Sequence, residues 1–331
     1  MKNSIIFCLL TLLFWQPLKA QTLELGESFF IDYGDYSLEY TVIQTNPPCV
    51  SVKCKDCSFS ELTIPDIVTH KETNYSVTEI ADNGFEDMIN FYGSLTIPNT
   101  ITKIGNFAFS GCDGFDGITI PEGVITIGDN AFSNCTSFTG VLTIPNSVTS
   151  IGNNAFYNCI LFTGALTIPN SVTSIGNHAF YNCINFKGAL TIPNSVISIG
   201  ANAFENCKWI TEVTISENVK EIPQKCFSGC ARLKTITIPD NVTYIGNQAF
   251  YGCSTLSNII LPDNIKTIGS YAFYNCKKIT NFKLPEKLQE IYDGAFSGCS
   301  GISTIIIPKE VTSIGSNCFL NCANLEKITM T

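Results

Sequence analysis

Residues 142–165 read LTIPNSVTSIGNNAFYNCILFTGA. The next 24 residues, 166–189, repeat them with three changes: Asn154 becomes His178, Leu161 becomes Asn185 and Thr163 becomes Lys187. Weaker copies run from about residue 62 to Thr331. A unit this short cannot bury its own apolar face, so a fixed period of 23–24 residues obliges neighbours to stack into a solenoid. Pro98, Pro121, Pro145, Pro169, Pro193, Pro239, Pro262, Pro285 and Pro308 mark the units, with Ser216 in one proline slot. Pro65 lies 33 residues before Pro98, so the first unit carries an insertion, read at residues 68–77 as two strands around a polar turn.

Three apolar signals recur within a unit. A short alternating run such as Ile236-Thr-Ile238 predicts a strand, and the proline after it ends the ladder because it has no N–H. The V-x-x-I-G run at 148–152 predicts a second short strand, with glycine permitting the bend that follows. In A-F-x-x-C, Phe156 and Cys159 are three apart, which predicts one helical or 3₁₀ turn. Stacked parallel strands lie about 4.8 Å apart, so equivalent residues form columns along the body. The predicted core column is Phe109, Phe132, Phe156, Phe180, Phe204, Phe227, Phe250, Phe273, Phe296 and Phe319.

The pattern L-x-x-I-x-I-P-x-x-V-x-x-I-G-x-x-A-F-x-x-C resembles the BspA-like (Treponema pallidum type) leucine-rich repeat. The resemblance covers residues 62–331. It implies a right-handed leucine-rich-repeat solenoid, β-rich α/β, with a parallel sheet and short convex helical turns. It also implies that residues 21–61 form an N-terminal β-rich cap. Relatives of this type include bacterial surface proteins that bind host extracellular-matrix proteins and other bacteria, and large families in mucosal protists.

Ten of the 16 cysteines form a column one turn beyond the phenylalanines: Cys112, Cys135, Cys159, Cys183, Cys207, Cys230, Cys253, Cys276, Cys299 and Cys322. One cysteine per unit at a core slot is what packing requires, and pairing neighbours would disturb a uniform stack, so free thiols are expected. Cys49, Cys54 and Cys57 lie off the column. Cys54-Lys-Asp-Cys57 reads as a disulfide or free thiols rather than zinc, since only His70 is near enough in sequence to help complete a ligand set.

The N-terminus has Lys2, an apolar run over 5–15, and a small residue, Ala20, before Gln21. This reads as a secretory signal peptide over 1–20, the run being too short to span a membrane. That segment carries two lysines and no acid, so the mature chain is more acidic than the −9 of the full chain. The sole arginine is Arg232. An acidic chain without a basic cluster argues against nucleic-acid partners and against anionic membrane surfaces. The catalytic motifs H-E-x-x-H, G-x-S-x-G, G-x-x-x-x-G-K-[ST] and G-x-G-x-x-G do not occur. The two histidines, His70 and His178, have no recurring partner. No enzyme activity, cofactor or metal is expected.

A binding role, secreted or at the cell surface, is therefore the expectation, and the resemblance adds adhesion to host or microbial proteins. Candidate contacts sit where copies depart from the consensus. The outward strand position holds threonine through Thr237, then Ile260, Lys283 and Ile306. In the turn after the cysteine column, Leu161 and Trp209 occupy slots that elsewhere are polar. Two other readings remain open: a self-assembling structural surface component, pairing through the strand edge at 327–331, and glycan recognition by the Thr/Asn-rich face.

Overall fold

The computed structural model describes residues 23–57, 61–89, 93–115, 117–280 and 282–331. The expected signal segment lies outside the described residues, as does the Cys57 side chain. Strands β1 (Ser28–Asp32), β2 (Tyr36–Thr45) and β3 (Pro48–Cys57) form an antiparallel meander. β4 (Glu61–Thr63) follows, then β5 (Ile67–His70) and β6 (Thr73–Ile80), an antiparallel hairpin within the expected insertion. β3 pairs with β6 in parallel, so the meander and the repeats share one sheet.

From β6 onward the V-x-x-I-G runs add one two-residue strand per unit: Lys103–Ile104, Thr126–Ile127, Ser150–Ile151, Ser174–Ile175 and Ser198–Ile199. A second ladder continues with Glu221–Ile222, Tyr244–Ile245, Thr267–Ile268, Glu290–Ile291 and Ser313–Ile314. The ladders are separate because the slot that elsewhere holds glycine is Pro223. Gly200 N–H donates to Ile175 O at 2.8 Å, a bond proline cannot make. The I-x-I-P strands form the opposite side, most continuously as Lys187–Thr191, Trp209–Thr214, Thr235–Thr237 and Asn258–Ile260.

The phenylalanine column forms as expected. Consecutive rings lie 5.2–5.9 Å apart with planes within 13°, and Phe109 through Phe296 are fully buried. Centroids that far apart in near-parallel rings mean an offset stack, the arrangement the ring quadrupole favours. The column starts one unit earlier than the consensus indicates, at Phe85, where Gly84 replaces alanine and Met88 replaces cysteine. Phe115, Phe138, Phe162 and Phe186 form a second buried column, and Phe162 and Phe186 meet the first edge-on.

The A-F-x-x-C segment corrects one expectation: it is not a helical turn, and no helix occurs among the described residues. It is a run of tight turns whose N–H groups alternate in direction. Asn130, Phe132 and Asn134 donate forward to Asn153, Ala155 and Tyr157 carbonyls of the next unit, at 2.7, 2.8 and 2.7 Å. Ala131, Ser133 and Cys135 donate back within their own turn. The alternation requires left-handed residues, Asn130 (φ 56) and Asn134 (φ 58), which a helix does not contain. The residue before each column cysteine is always Asn or Gly, the two types that tolerate this conformation most cheaply.

The glycine of V-x-x-I-G has a different purpose from the bend assigned to it. A Cβ on Gly152 would sit 2.5 Å from the carbonyl carbon of Gly128 in the preceding unit. The column is glycine because successive corners nest against each other. Beside it runs a ladder of side-chain acceptors: Asp82, Asn106, Asp129, Asn153 and Asn177 each take the backbone N–H of the next unit through Oδ1, at 2.7–2.8 Å.

The column cysteines are free thiols. Each Sγ donates to the carbonyl of the preceding unit's phenylalanine, at 2.8–3.3 Å, as Cys183 does to Phe156. Burial raises these thiol pKa values, Cys230 up to about 12 from 9.0. Cys54 is disulfide-bonded, whereas Cys49 is a free thiol.

Two outcomes test this packing. Replacing Phe180 with alanine should destabilise the protein by about 3–5 kcal/mol, and an unchanged melting temperature would remove the ring from the core. The second concerns alkali. Folded thiols keep their protons after unfolded ones have lost them, so the contribution of a thiol such as Cys230 is constant below about pH 9 and falls between pH 9.0 and about 12. The slope is about 1.4 kcal/mol per pH unit for each such thiol. Melting at about pH 10 should therefore be well below that at neutrality. Equal melting at the two values contradicts a buried thiol column.

Candidate binding surface

The six sequence-derived positions fall into two groups at opposite ends of the strands of one sheet side. Thr237 and Ile260 are cross-strand neighbours in register, on Thr235–Thr237 and Asn258–Ile260. Both point outward. Ile260 is 84% exposed, the largest exposure among the large apolar side chains of the described residues. Beside it lies an open depression of about 560 Å³ lined by Thr235, Thr237, Asp240, Asn258, Ile260 and Thr280.

Among the described residues, this strand ladder runs as far as Asn258–Ile260. In the next unit Phe282 fills the inward slot that Ile259 and Ile305 hold elsewhere, packing edge-on against Phe273 (5.8 Å) and Phe296 (5.0 Å). Pairing resumes only with Thr304–Ile307 against Lys327–Met330. Ile306 is thus exposed (56%) in the same outward column as Ile260 but belongs to another pair of strands. Between them Lys283 extends into solvent and bonds Glu286 at 3.0 Å, and that hydrogen bond raises its pKa.

Trp209 and Leu161 lie elsewhere, in the turn that precedes the strand. Trp209 opens the strand Trp209–Thr214, pairing with Lys187, and is 39% exposed; Leu161 is 40% exposed. The unit length changes at this point. Gly140, Gly164 and Gly188 have positive φ (82, 81 and 84) and supply an extra residue, and the register shifts at Gly188/Ala189. The following unit lacks that residue, so from Trp209 onward the units are 23 residues long, as the Pro98–Pro121 unit is. The Arg232 guanidinium stacks over its indole at 3.7 Å, and Lys187 Nζ lies 5.8 Å from the ring centre. Sequence reading missed this grouping. Its one available signal was that Arg232 is the chain's sole arginine, 23 residues, one unit, beyond Trp209.

The remaining aromatic and ionisable candidates are absorbed by packing. Tyr157 stacks on Tyr181 and Tyr251 on Tyr274, both at 4.7 Å. His178 meets Tyr181 edge-on and His70 stacks on Phe29 at 4.4 Å. Among the described residues, no group of three or more His, Cys, Asp or Glu side chains is placed to hold a metal ion. No described helix is long and apolar enough to cross a membrane.

Parallel strands added once per unit over a continuous aromatic core, closed by turns that bond to the next unit, define a leucine-rich-repeat solenoid. The chain belongs to the BspA-type leucine-rich repeat family, whose model matches residues 52–164, 149–254 and 220–331. The fold is similar to the crystal structure of a leucine-rich cell surface protein from Faecalibacterium prausnitzii. That protein is 27% identical, with a TM-score of 0.53 over 92% of this chain and 95% of that one. It is also similar to the pneumococcal vaccine antigen PcpA, at 22% identity and a TM-score of 0.64, over 93% of this chain and 82% of that one. No curated protein sequence matches the chain.

Proposed function

We propose that this chain is a secreted or cell-surface protein that binds other proteins through its repeat surface, with adhesion to host or microbial proteins as its role. Membership of a repeat family of binding proteins supports the reading, as does the relative described as a cell surface protein. The basic-apolar leader at 1–20 fits export, and the meander β1–β3 fits the role of a cap for the solenoid. Ile260 is the observation that carries the choice of face. An isoleucine 84% exposed, next to an open depression, offers an apolar anchor. Ile306 extends the anchor along the same column.

A second reading is self-association along Lys327–Met330, where Ile328 and Met330 are 52% and 78% exposed. Light scattering across a concentration series separates the two, since only self-association makes the mass rise.

The principal test compares wild type with the Ile260→Asp plus Ile306→Asp variant on immobilised extracellular-matrix proteins. Both positions are exposed, so melting should be unchanged. Loss of two apolar anchors should weaken capture by tenfold or more, about 1.4 kcal/mol or above. Equal capture would move the binding face elsewhere.

A further inference from the structure

The chain is acidic, with 28 Asp and Glu against 19 Lys and Arg. Four of its cations nevertheless gather around Trp209 from three successive units. Lys187 comes from the unit before, Lys208 precedes the tryptophan, and Arg232 and Lys234 come from the unit after. The backbone holds them together: Lys187 pairs with Trp209 across the ladder, Arg232 N–H donates to Lys208 O at 3.2 Å, and Lys234 N–H donates to Thr211 O at 2.8 Å. All four side chains are exposed. None belongs to an ion pair among the described residues, and Glu212 on the same strand forms none with them.

Like charges gathered in adjacent units repel, and no described carboxylate forms an ion pair with any of the four. The indole removes much of Arg232's freedom, because the guanidinium lies flat on it at 3.7 Å. A stacked guanidinium keeps its N–H edge free for two parallel bonds to a carboxylate, with less entropy left to lose on binding. With Arg232 on it and Lys187 beside it, the ring acts as a support for the cations rather than a platform for a ligand. Leu161 stands in the same turn column two units earlier, about 10 Å along the axis at the spacing of stacked strands, and is exposed. An aliphatic contact next to a cationic cluster suits a peptide that carries an apolar residue beside acidic ones. A sulfated or uronic glycan supplies the charges but not the aliphatic side chain.

The geometry points to Lys187, Lys208, Arg232 and Lys234, ordered on Trp209, as a docking site for an acidic segment of a protein partner. This rests on the reading of the chain as a protein-binding protein but not on the Ile260 face.

The probe is a fluorescein-labelled synthetic peptide, one leucine followed by alternating Asp and Glu, with an Asn/Gln version as control. Anisotropy should report binding of the acidic peptide at about 0.01 M salt, where the screening length is about 30 Å, and its loss at about 1 M, where it is about 3 Å. Arg232→Gln plus Lys187→Gln should weaken binding about tenfold. Lys208→Gln plus Lys234→Gln, which leaves the indole contacts intact, should weaken it in the same direction. Ile260→Asp plus Ile306→Asp should bind the peptide as wild type does. The site is overturned by undiminished binding in both lysine and arginine variants, by equal binding of the Asn/Gln peptide, or by capture of a heparin-derived oligosaccharide where the acidic peptide fails. If the peptide fails while matrix-protein capture remains sensitive to Ile260, this site falls and the protein-binding reading stands.

Discussion

Among the described residues, a repeat unit closes only part of its own backbone hydrogen bonds. On the V-x-x-I-G side the N–H groups reach back to the preceding unit, as Thr149 does to Ile125. On the turn side they reach forward, as Phe132 does to Ala155. Each unit is therefore held at two sides by different neighbours, and backbone polarity is satisfied only in the stack. The aromatic column, the thiol bonds to phenylalanine carbonyls and the Asn/Asp ladder all repeat at the same period, so each reinforces that one constraint.

Interruptions in the pattern matter for function because they are where the constraint relaxes. Pro223 deletes one donor and splits the long sheet between Ser198–Ile199 and Glu221–Ile222. Phe282 puts a ring where Ile259 and Ile305 stand in the neighbouring units, one unit beyond Ile260. Loss of the extra glycine after Gly188 resets the unit length at Trp209. Two of these three lie at the surfaces for which binding is proposed. A uniform solenoid has a uniform face, and specificity needs departures from it.

Much of this was legible beforehand, and the exceptions have physical causes. The phenylalanine and cysteine columns could be read because a core slot in a stacked array accepts only one size and polarity. Phe85 escaped because its flanking Gly84 and Met88 break the consensus. The convex turns were misread as helical because Phe and Cys three apart fit either geometry. The Asn or Gly before each cysteine carries the distinguishing signal, since those residues admit positive φ. The glycine column was assigned to bending, although its real constraint is contact with another unit, which local propensity does not express.

Periodicity and side-chain type were enough to establish a stacked repeat, its core columns and its reduced thiols, because those depend on features that recur every 23–24 residues. Pattern also located the departures at Leu161, Trp209, Ile260, Lys283 and Ile306. It did not reveal their environments. That Arg232 covers Trp209, that Ile260 borders a depression, and that Lys283 is bonded to Glu286 follow from which irregular side chains meet across units. Those meetings depend on ring size, register and turn geometry at single positions, and a repeat consensus averages all three away.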